Sequence, residues 1–374
     1  MNYQRVDVYR VPMFGPGDMG GLKALLKDGV VDANDIVAIL GKTEGNGGVN
    51  DFTREYASRT FALTLAAHIG CTAEEVVKRV ALVMSGGTEG VLSPHATIFT
   101  RRLVPDPGDG GLRLAIGVAH TREFLPEELG GVAQIAETAR AVRAAMEDAN
   151  IVDVEDVHYV QVKCPLLTAE RAEQANARGF APVTDNSYDS MAYSRGASAL
   201  GVALALGELP GPVDAQSVLS DLSLFSAVAS ASAGIELTHS EIVVMGNSTS
   251  SVGDNVIGHS LMRDAIDLRG VLDAFTSAGL DASSGLGDVM SRVVNVFAKA
   301  ESSPCGRIRG FRHTMLDDTD ITSTRHARAA VGGLIAGVAG NGALYVSGGA
   351  EHQGPPGGGP VAVIARCTPD RTAE

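Results

Sequence analysis

The chain has 374 residues, 45% of them apolar and 20% charged, which suffices for two or three packed domains and excludes a disordered chain. Its formal net charge is −14, with no basic tract or stripe, which argues against a nucleic-acid groove. Its 45 glycines gather in short tracts after apolar runs, such as GKTEGNGG, SGGTEG and SGGAEHQGPPGGGP, where backbone turns sharply or approaches a ligand closely.

The opening MNYQRVDVYRVP lacks the charged start and apolar core of a signal peptide. Ile36 to Lys42 is an apolar, β-branched run that predicts a buried strand ending in lysine. Thr53-Arg54-Glu55-Tyr56-Ala57 then opens a helix with Thr53 as its cap, and the run Val80 to Met84 leads into Ser85-Gly86-Gly87-Thr88-Glu89. The stretch from Pro105 to Gly111, PDPGDGG, reads as a linker. A helix is expected over Val132–Ala149, followed by a second lysine-ended strand, His158 to Lys163. Ser194-Arg195-Gly196-Ala197 opens a further helix capped by Ser194, and Ser232-Ala233-Gly234-Ile235-Glu236 repeats the serine element in looser form. A weaker boundary falls between Gly246 and Asp254.

A helix is next expected over Leu261–Ala278, then a third lysine-ended strand, Val293 to Lys299, and a helix opened by Thr324-Arg325-His326-Ala327. Ala329 to Ala350 has about the length of a membrane span, but Gly340-Asn341-Gly342 divides it into a buried helix and a short strand. That strand leads into Ser347-Gly348-Gly349-Ala350-Glu351. Cys71, Cys164, Cys305 and Cys367 are scattered without CxxC or zinc-like spacing, so reduced thiols, a soluble protein and a cytoplasmic location are expected.

The order lysine, arginine, serine thus occurs three times: Lys42–Arg54–Ser85, Lys163–Arg195–Ser232 and Lys299–Arg325–Ser347. Units of this size are domains and not solenoid repeats. The expected division is 1–104, the linker 105–111, 112–249 and 255–374, each unit mixing strands and helices in an α/β (or α+β) class. Three copies of the same donors suit a ligand with threefold character. Arginine offers a planar fork for carbonyl oxygens, and the Ser85-Gly86, Ser232-Ala233 and Ser347-Gly348 steps offer hydroxyl and backbone donors.

A serine becomes a nucleophile when a neighbouring base takes its proton, and lysine serves only if its pKa is lowered. Lys42 and Lys299 each have a glutamate two positions on, Glu44 and Glu301, which favours the charged ammonium. Lys163 is followed by Cys164-Pro165-Leu166-Leu167 with no acid close in sequence. Lys163 and Ser232 are therefore the expected base and nucleophile. Lys42 and Lys299 then support carbonyl-binding Ser85 and Ser347, and Ser230 is the rival nucleophile. His313, His326 and His352 lack zinc spacing, Ile36 stands where a P-loop around Gly41-Lys42-Thr43 needs glycine, and GxSxG is absent, so no catalytic cofactor is expected.

The segments GKTEGNGGVNDFTREYA, VMSGGTEGVLSPH, VQVKCPLLT, YSRGASALG, ASASAGIEL, VNVFAKAESSP, TSTRHARA and YVSGGAEHQGPPGGGP resemble the cyanuric acid hydrolase/barbiturase family over nearly the whole chain. The resemblance implies three similar α/β units around a pseudo-threefold axis, with one central active site and a homotetrameric assembly. It implies hydrolytic ring opening of cyanuric acid, a step of s-triazine degradation, or of barbituric acid, which the motifs do not separate. It also points to the same Lys163–Ser232 repeat. Composition alone reads the tail after Ser347 as a tight loop. The resemblance implies that Glu301, Ala350, Gln353, Gly354, Pro355 and Gly358 there hold a structural magnesium ion or similar hard cation. A non-catalytic small-molecule binder is the reading from another class, and retained Lys163 and Ser232 argue against it.

Overall fold

The computed structural model describes residues 2–105, 108–209, 211, 213–281 and 286–367, so Asp106 and Pro107 of the expected linker lie outside it. Tyr3–Pro12 (β1), Ile36–Thr43 (β2), Ala81–Gly86 (β3) and His95–Val104 (β4) form a sheet in the order β3-β2-β4-β1. Arg113–His120 (β5), Val157–Pro165 (β6), Ala229–Gly234 (β7) and Glu241–Ser248 (β8) form a second, β7-β6-β8-β5. Ser251–Val252 (β9) returns to pair with β1. Asn255–Met262 (β10) and Val293–Ala300 (β11) are followed by a small hairpin, Arg307–Ile308 (β12) with Phe311–Arg312 (β13). Tyr345–Gly348 (β14) and Gly359–Arg366 (β15) complete a third sheet, β14-β11-β15-β10.

The three sheets share one strand order and one set of directions. In each, the lysine-ended strand lies parallel to the serine-ended strand and antiparallel to its other neighbour. A parallel pair needs a crossover, and helices Phe52–Ile69, Ser187–Ala205 and Ser323–Ala339 supply it. The observed class is α/β, as the sequence predicts. The stretch Ala329–Ala350 is divided as expected into the end of a helix and a strand. Among the described residues no helix is long and apolar enough to cross a membrane.

Two local expectations change. The arginine helices begin earlier than their Thr53, Ser194 and Thr324 signals suggest: Asp51, Asn186 and Thr322 occupy the cap positions. Asn186 captures the amides of Tyr188 and Asp189 and starts its helix eight residues ahead of Arg195, leaving Ser194 buried in the helix interior. The helix expected over Leu261–Ala278 runs over Leu268–Ser277, because Leu261 and Met262 belong to β10 and Asp267 caps the helix through the amide of Gly270. The helix expected over Val132–Ala149 runs over Val132–Asp148.

One face of each sheet packs on its own helices. The opposite faces meet in a common core of Val6, Leu40 and Phe99, of Ile116, Tyr159 and Met245, and of Ile257, Phe297 and Tyr345. Phe297 lies 6.2 Å from Phe99, 5.3 Å from Tyr159 and 5.7 Å from Tyr345 between ring centroids, so one ring touches all three sheets.

Candidate active site

Strand alternation aims the lysines and serines at that shared centre. Successive side chains point to opposite faces, so Lys42 follows the inward Ala38 and Leu40, Lys163 follows Tyr159, and Lys299 follows Phe297. Ser85 follows Ala81 and Val83 in the same way, and Ser347 follows Tyr345. Cross-strand register then sets Lys42 against Ser85, Lys163 against Ser232 and Lys299 against Ser347.

The three serines converge. Ser347 Oγ lies 3.1 Å from Ser232 Oγ and 3.4 Å from Ser85 Oγ. Lys42 Nζ donates to Ser85 Oγ at 3.1 Å and to the Gly86 carbonyl at 3.2 Å. Lys299 Nζ donates to Ser347 Oγ at 3.3 Å, to the Gly348 carbonyl at 3.0 Å and to the Ala231 carbonyl at 2.9 Å. Lys163 differs. Its Nζ donates to the Met84 carbonyl at 2.9 Å and lies 2.8 Å from Glu236 Oε1, so its bonds bypass Ser232.

The acid-free surroundings expected for Lys163 are therefore not observed. Glu236, the glutamate of its own serine element, pairs with it, because the short turn after Gly234 folds that side chain back under the strand end. Glu44 in turn is exposed and is no partner for buried Lys42. Burial lowers the pKa of all three lysines. Lys42 is further lowered by Arg328, and Lys299, at about 7, by Arg195, while Glu236 opposes the shift at Lys163.

The glutamate of each serine element reaches an arginine of another unit. Glu89 holds Arg328 at 2.6 Å and Arg325 at 3.1 Å; Glu236 lies 3.8 Å from Arg54; Glu351 holds Arg195 at 2.6 Å. From arginine to glutamate, the pairs run from the first sheet's unit to the second, the second to the third, and the third back to the first. Arg54 and Arg195 line the serine cavity with Ser85, Gly86, Ser232, Ala233, Ser347 and Gly348. Arg325 stands instead at the outer cleft, and Arg328, one helical turn on and 4% exposed, lines the cavity. Sequence reading missed Arg328, whose spacing of three from Arg325 was the available signal, and Met191, for which there was none. Ser230 does not line the cavity, and among the three lysines only Lys163 does. The cavity, about 20 Å³, shares Gly47, Met191, Arg195, Arg328 and Gly348 with an outer cleft of about 560 Å³.

The tail loop is tight. Gln353 N donates to the Ala350 carbonyl at 2.9 Å and Gly358 N to the Pro355 carbonyl at 2.8 Å, while Gly354, at φ +105, has a conformation that only glycine adopts readily. Gln353 Oε1 accepts from Ala231 N at 2.6 Å, tying the loop to the strand that carries Ser232. Burial, then the charge of Glu351, raises the pKa of Glu301 to about 7. Glu301 lies near enough to Glu351 for the two charges to interact, so carboxylate oxygens gather at this loop as a hard cation requires.

A serine cluster backed by buried lysines, closed by arginines drawn from three repeated units, is the equipment of a hydrolase acting on carbonyl compounds. The chain belongs to the ring-opening amidohydrolases: residues 7–366 match the family described as Amidohydrolase ring-opening protein. It is 61% identical to a cyanuric acid amidohydrolase of Bradyrhizobium diazoefficiens over 98% of this chain and 99% of that one. It is 57% identical to another from Pseudomonas sp. strain ADP, over 96% and 99% of the two chains. A solved cyanuric acid hydrolase superposes with a TM-score of 0.94 at 56% identity, over 98% of this chain and 100% of its own. One from A. caulinodans does so at 0.89 with 50% identity, over the same shares of the two chains.

Proposed function

We propose that this chain opens the ring of cyanuric acid by hydrolysing a ring amide, with Ser232 as nucleophile and Lys163 as its base. The observation that carries the reading is the convergence of Ser85, Ser232 and Ser347, one from each sheet, within 3.4 Å of their neighbours. Three hydroxyls around one point suit a flat ring with three equivalent carbonyls. What singles out Ser232 is that Lys163, its partner in strand register, is the lysine that lines the cavity; Nζ must turn from the Met84 carbonyl toward Ser232 Oγ to take the proton.

In this reading Ser232 Oγ attacks a ring carbonyl carbon as its proton passes to Lys163 Nζ. The carbonyl oxygen takes negative charge, stabilised by hydroxyl and backbone donors of the neighbouring serine steps. The C–N bond breaks, the nitrogen takes the proton from Lys163, and a ring-opened ester remains on Ser232. Water attacks that ester, Lys163 again relaying the proton, and Ser232 is released. The carbonyl lies between two nitrogens, so the product is a linear carbamic acid. Ser85 and Ser347, polarised by Lys42 and Lys299, donate to the other two carbonyls.

Glu301, Ala350, Gln353, Gly354, Pro355 and Gly358 would hold a structural magnesium ion, which supplies charge to the loop that braces the Ser232 strand. A homotetramer in the cytoplasm completes the proposal, supported by the family resemblance; sedimentation velocity of the purified chain tests the assembly. The activity is tested by offering cyanuric acid, barbituric acid and uracil and following loss of ring absorbance. Faster opening of cyanuric acid is expected. Preference for barbituric acid would make the chain a barbiturase, and opening of none would overturn the reading.

A further inference from the structure

Between the helices Phe52–Ile69 and Ala73–Val77 and the end of the second sheet lies a cavity of about 520 Å³, distinct from the serine cavity, and its walls include Lys163 and Glu236. Strand register places His120, Glu241, Lys163 and Ser232 in one row across β5, β8, β6 and β7. The matching row of the first sheet is Pro12, His95, Lys42 and Ser85. In the third, Leu261 stands against Pro360. Only the second row carries two metal-ligand side chains next to each other. His239 lies in the bend that leads into β8, two residues before Glu241.

The ligand atoms of His120, His239 and Glu241 all lie within 4.8 Å of one another, and the two imidazole centroids are 5.6 Å apart. All three residues line the cavity. Glu241 is 4% exposed, and its Oε2 and the Nε2 of His120 are buried without a hydrogen-bond partner. Buried polar atoms left unpaired in this way cost free energy unless something binds them. Burial also lowers the pKa of both histidines, which keeps the imidazoles in the neutral state that ligates metal.

We propose that His120, His239 and Glu241 form a binding site for a first-row divalent cation of the zinc class. Two imidazoles and one carboxylate are a zinc-type donor set that leaves a fourth position open to the cavity. Bonds of about 2.0–2.1 Å put tetrahedral ligands roughly 3.4 Å apart, so side-chain rotations of about an ångström complete the site. Glu241 stands between His120 and Lys163 in the strand row, and through it the ion couples the cavity to the dyad. The ion is distinct from the hard cation of the tail loop, whose donors are oxygens.

The test uses the untagged full chain, stripped with a chelator and titrated with Co²⁺ and Zn²⁺. One ion per chain is expected, with the intense visible d–d bands of four-coordinate Co²⁺, and Zn²⁺ should displace it. His239→Ala, at a half-buried strand entrance, should weaken binding at least tenfold with unchanged circular dichroism, and Glu241→Gln should do the same. Glu301→Gln should leave the Co²⁺ bands as they are. Absence of the bands in the wild-type chain, their persistence in both folded variants, or their loss in Glu301→Gln would overturn the proposal.

Discussion

The dyads look alike in sequence but differ in wiring, and substitution should reveal it. In the proposed mechanism Ser232→Ala and Lys163→Ala each remove one half of a reacting unit, so each should reduce kcat to near background, and the double variant should be little worse. Ser85→Ala and Ser347→Ala remove a hydrogen bond to a carbonyl, which costs about 1–3 kcal/mol when it leaves a partner unpaired. Steady-state kinetics should show them slower by roughly ten- to a hundredfold, since each 1.4 kcal/mol is about tenfold. A ring-opened adduct mapped by mass spectrometry to Ser85 or Ser347 would contradict the assignment. The serine and lysine positions were legible because alternation and parallel register follow from the short apolar strands themselves. The partner of Lys163 was not. Glu236 is distant in sequence from Lys163, and only the turn after Gly234 brings its carboxylate to Nζ. The same holds for His120, which meets Glu241 through antiparallel register across most of a unit.

At the scale of elements, the repeated close approach of strand and helix sets a tolerance. A Cβ on Gly117 in β5 would strike the Ala145 carbonyl of its covering helix, and one on Gly258 in β10 would strike the end of the helix ending at Ser277. Gly117→Ala and Gly258→Ala should each destabilise by about 1–3 kcal/mol, because the obstruction is backbone and cannot rotate away. Chemical denaturation would show it as a lower midpoint at unchanged slope. The tail loop makes a separate prediction. If it holds a cation only when folded, binding adds stability by mass action. Glu301→Ala should then lower both metal content and melting temperature while altering kcat little, and chelation should lower the melting temperature of the parent chain. An unchanged melting curve and metal content with lost activity would move Glu301 into the chemistry. Helix starts were less legible than strands, since Asn186 and Asp51 outcompete the serine and threonine nearer the arginines by capturing the first free amides of the turn.

At the scale of the molecule, the sheets are joined by buried groups that titrate. His158 of the second sheet and His259 of the third lie 2.8 Å apart between Nδ1 atoms. Burial, then the neighbouring His259, depresses His158 from 6.5 to about 4. A depressed histidine favours the fold fully above pH 6.5, where both states are neutral. Below that the unfolded chain takes up a proton that the folded one refuses until about pH 4, so stability falls across this window. A tenfold difference in proton affinity is worth about 1.4 kcal/mol, which holds the loss to a few kcal/mol at most. Melting temperature measured from pH 7 downward should decline, and His158→Gln should flatten the decline; an equal slope in the variant would exclude this origin. Repetition of the lysine, arginine and serine elements made three units legible in the sequence, but not how they face one another, which depends on pairs such as these.

The arginine–glutamate contacts close on themselves, and that matters to a polypeptide made from one end. While the ribosome has delivered only the first two units, Glu89 awaits Arg325 and Arg328, and Arg195 awaits Glu351. Neither charge finds its partner earlier, because both partners lie in the third unit, which is made after the other two. A product that stops after two units therefore carries an unclosed charged face and lacks Ser347, so the pocket closes only once the third unit is made.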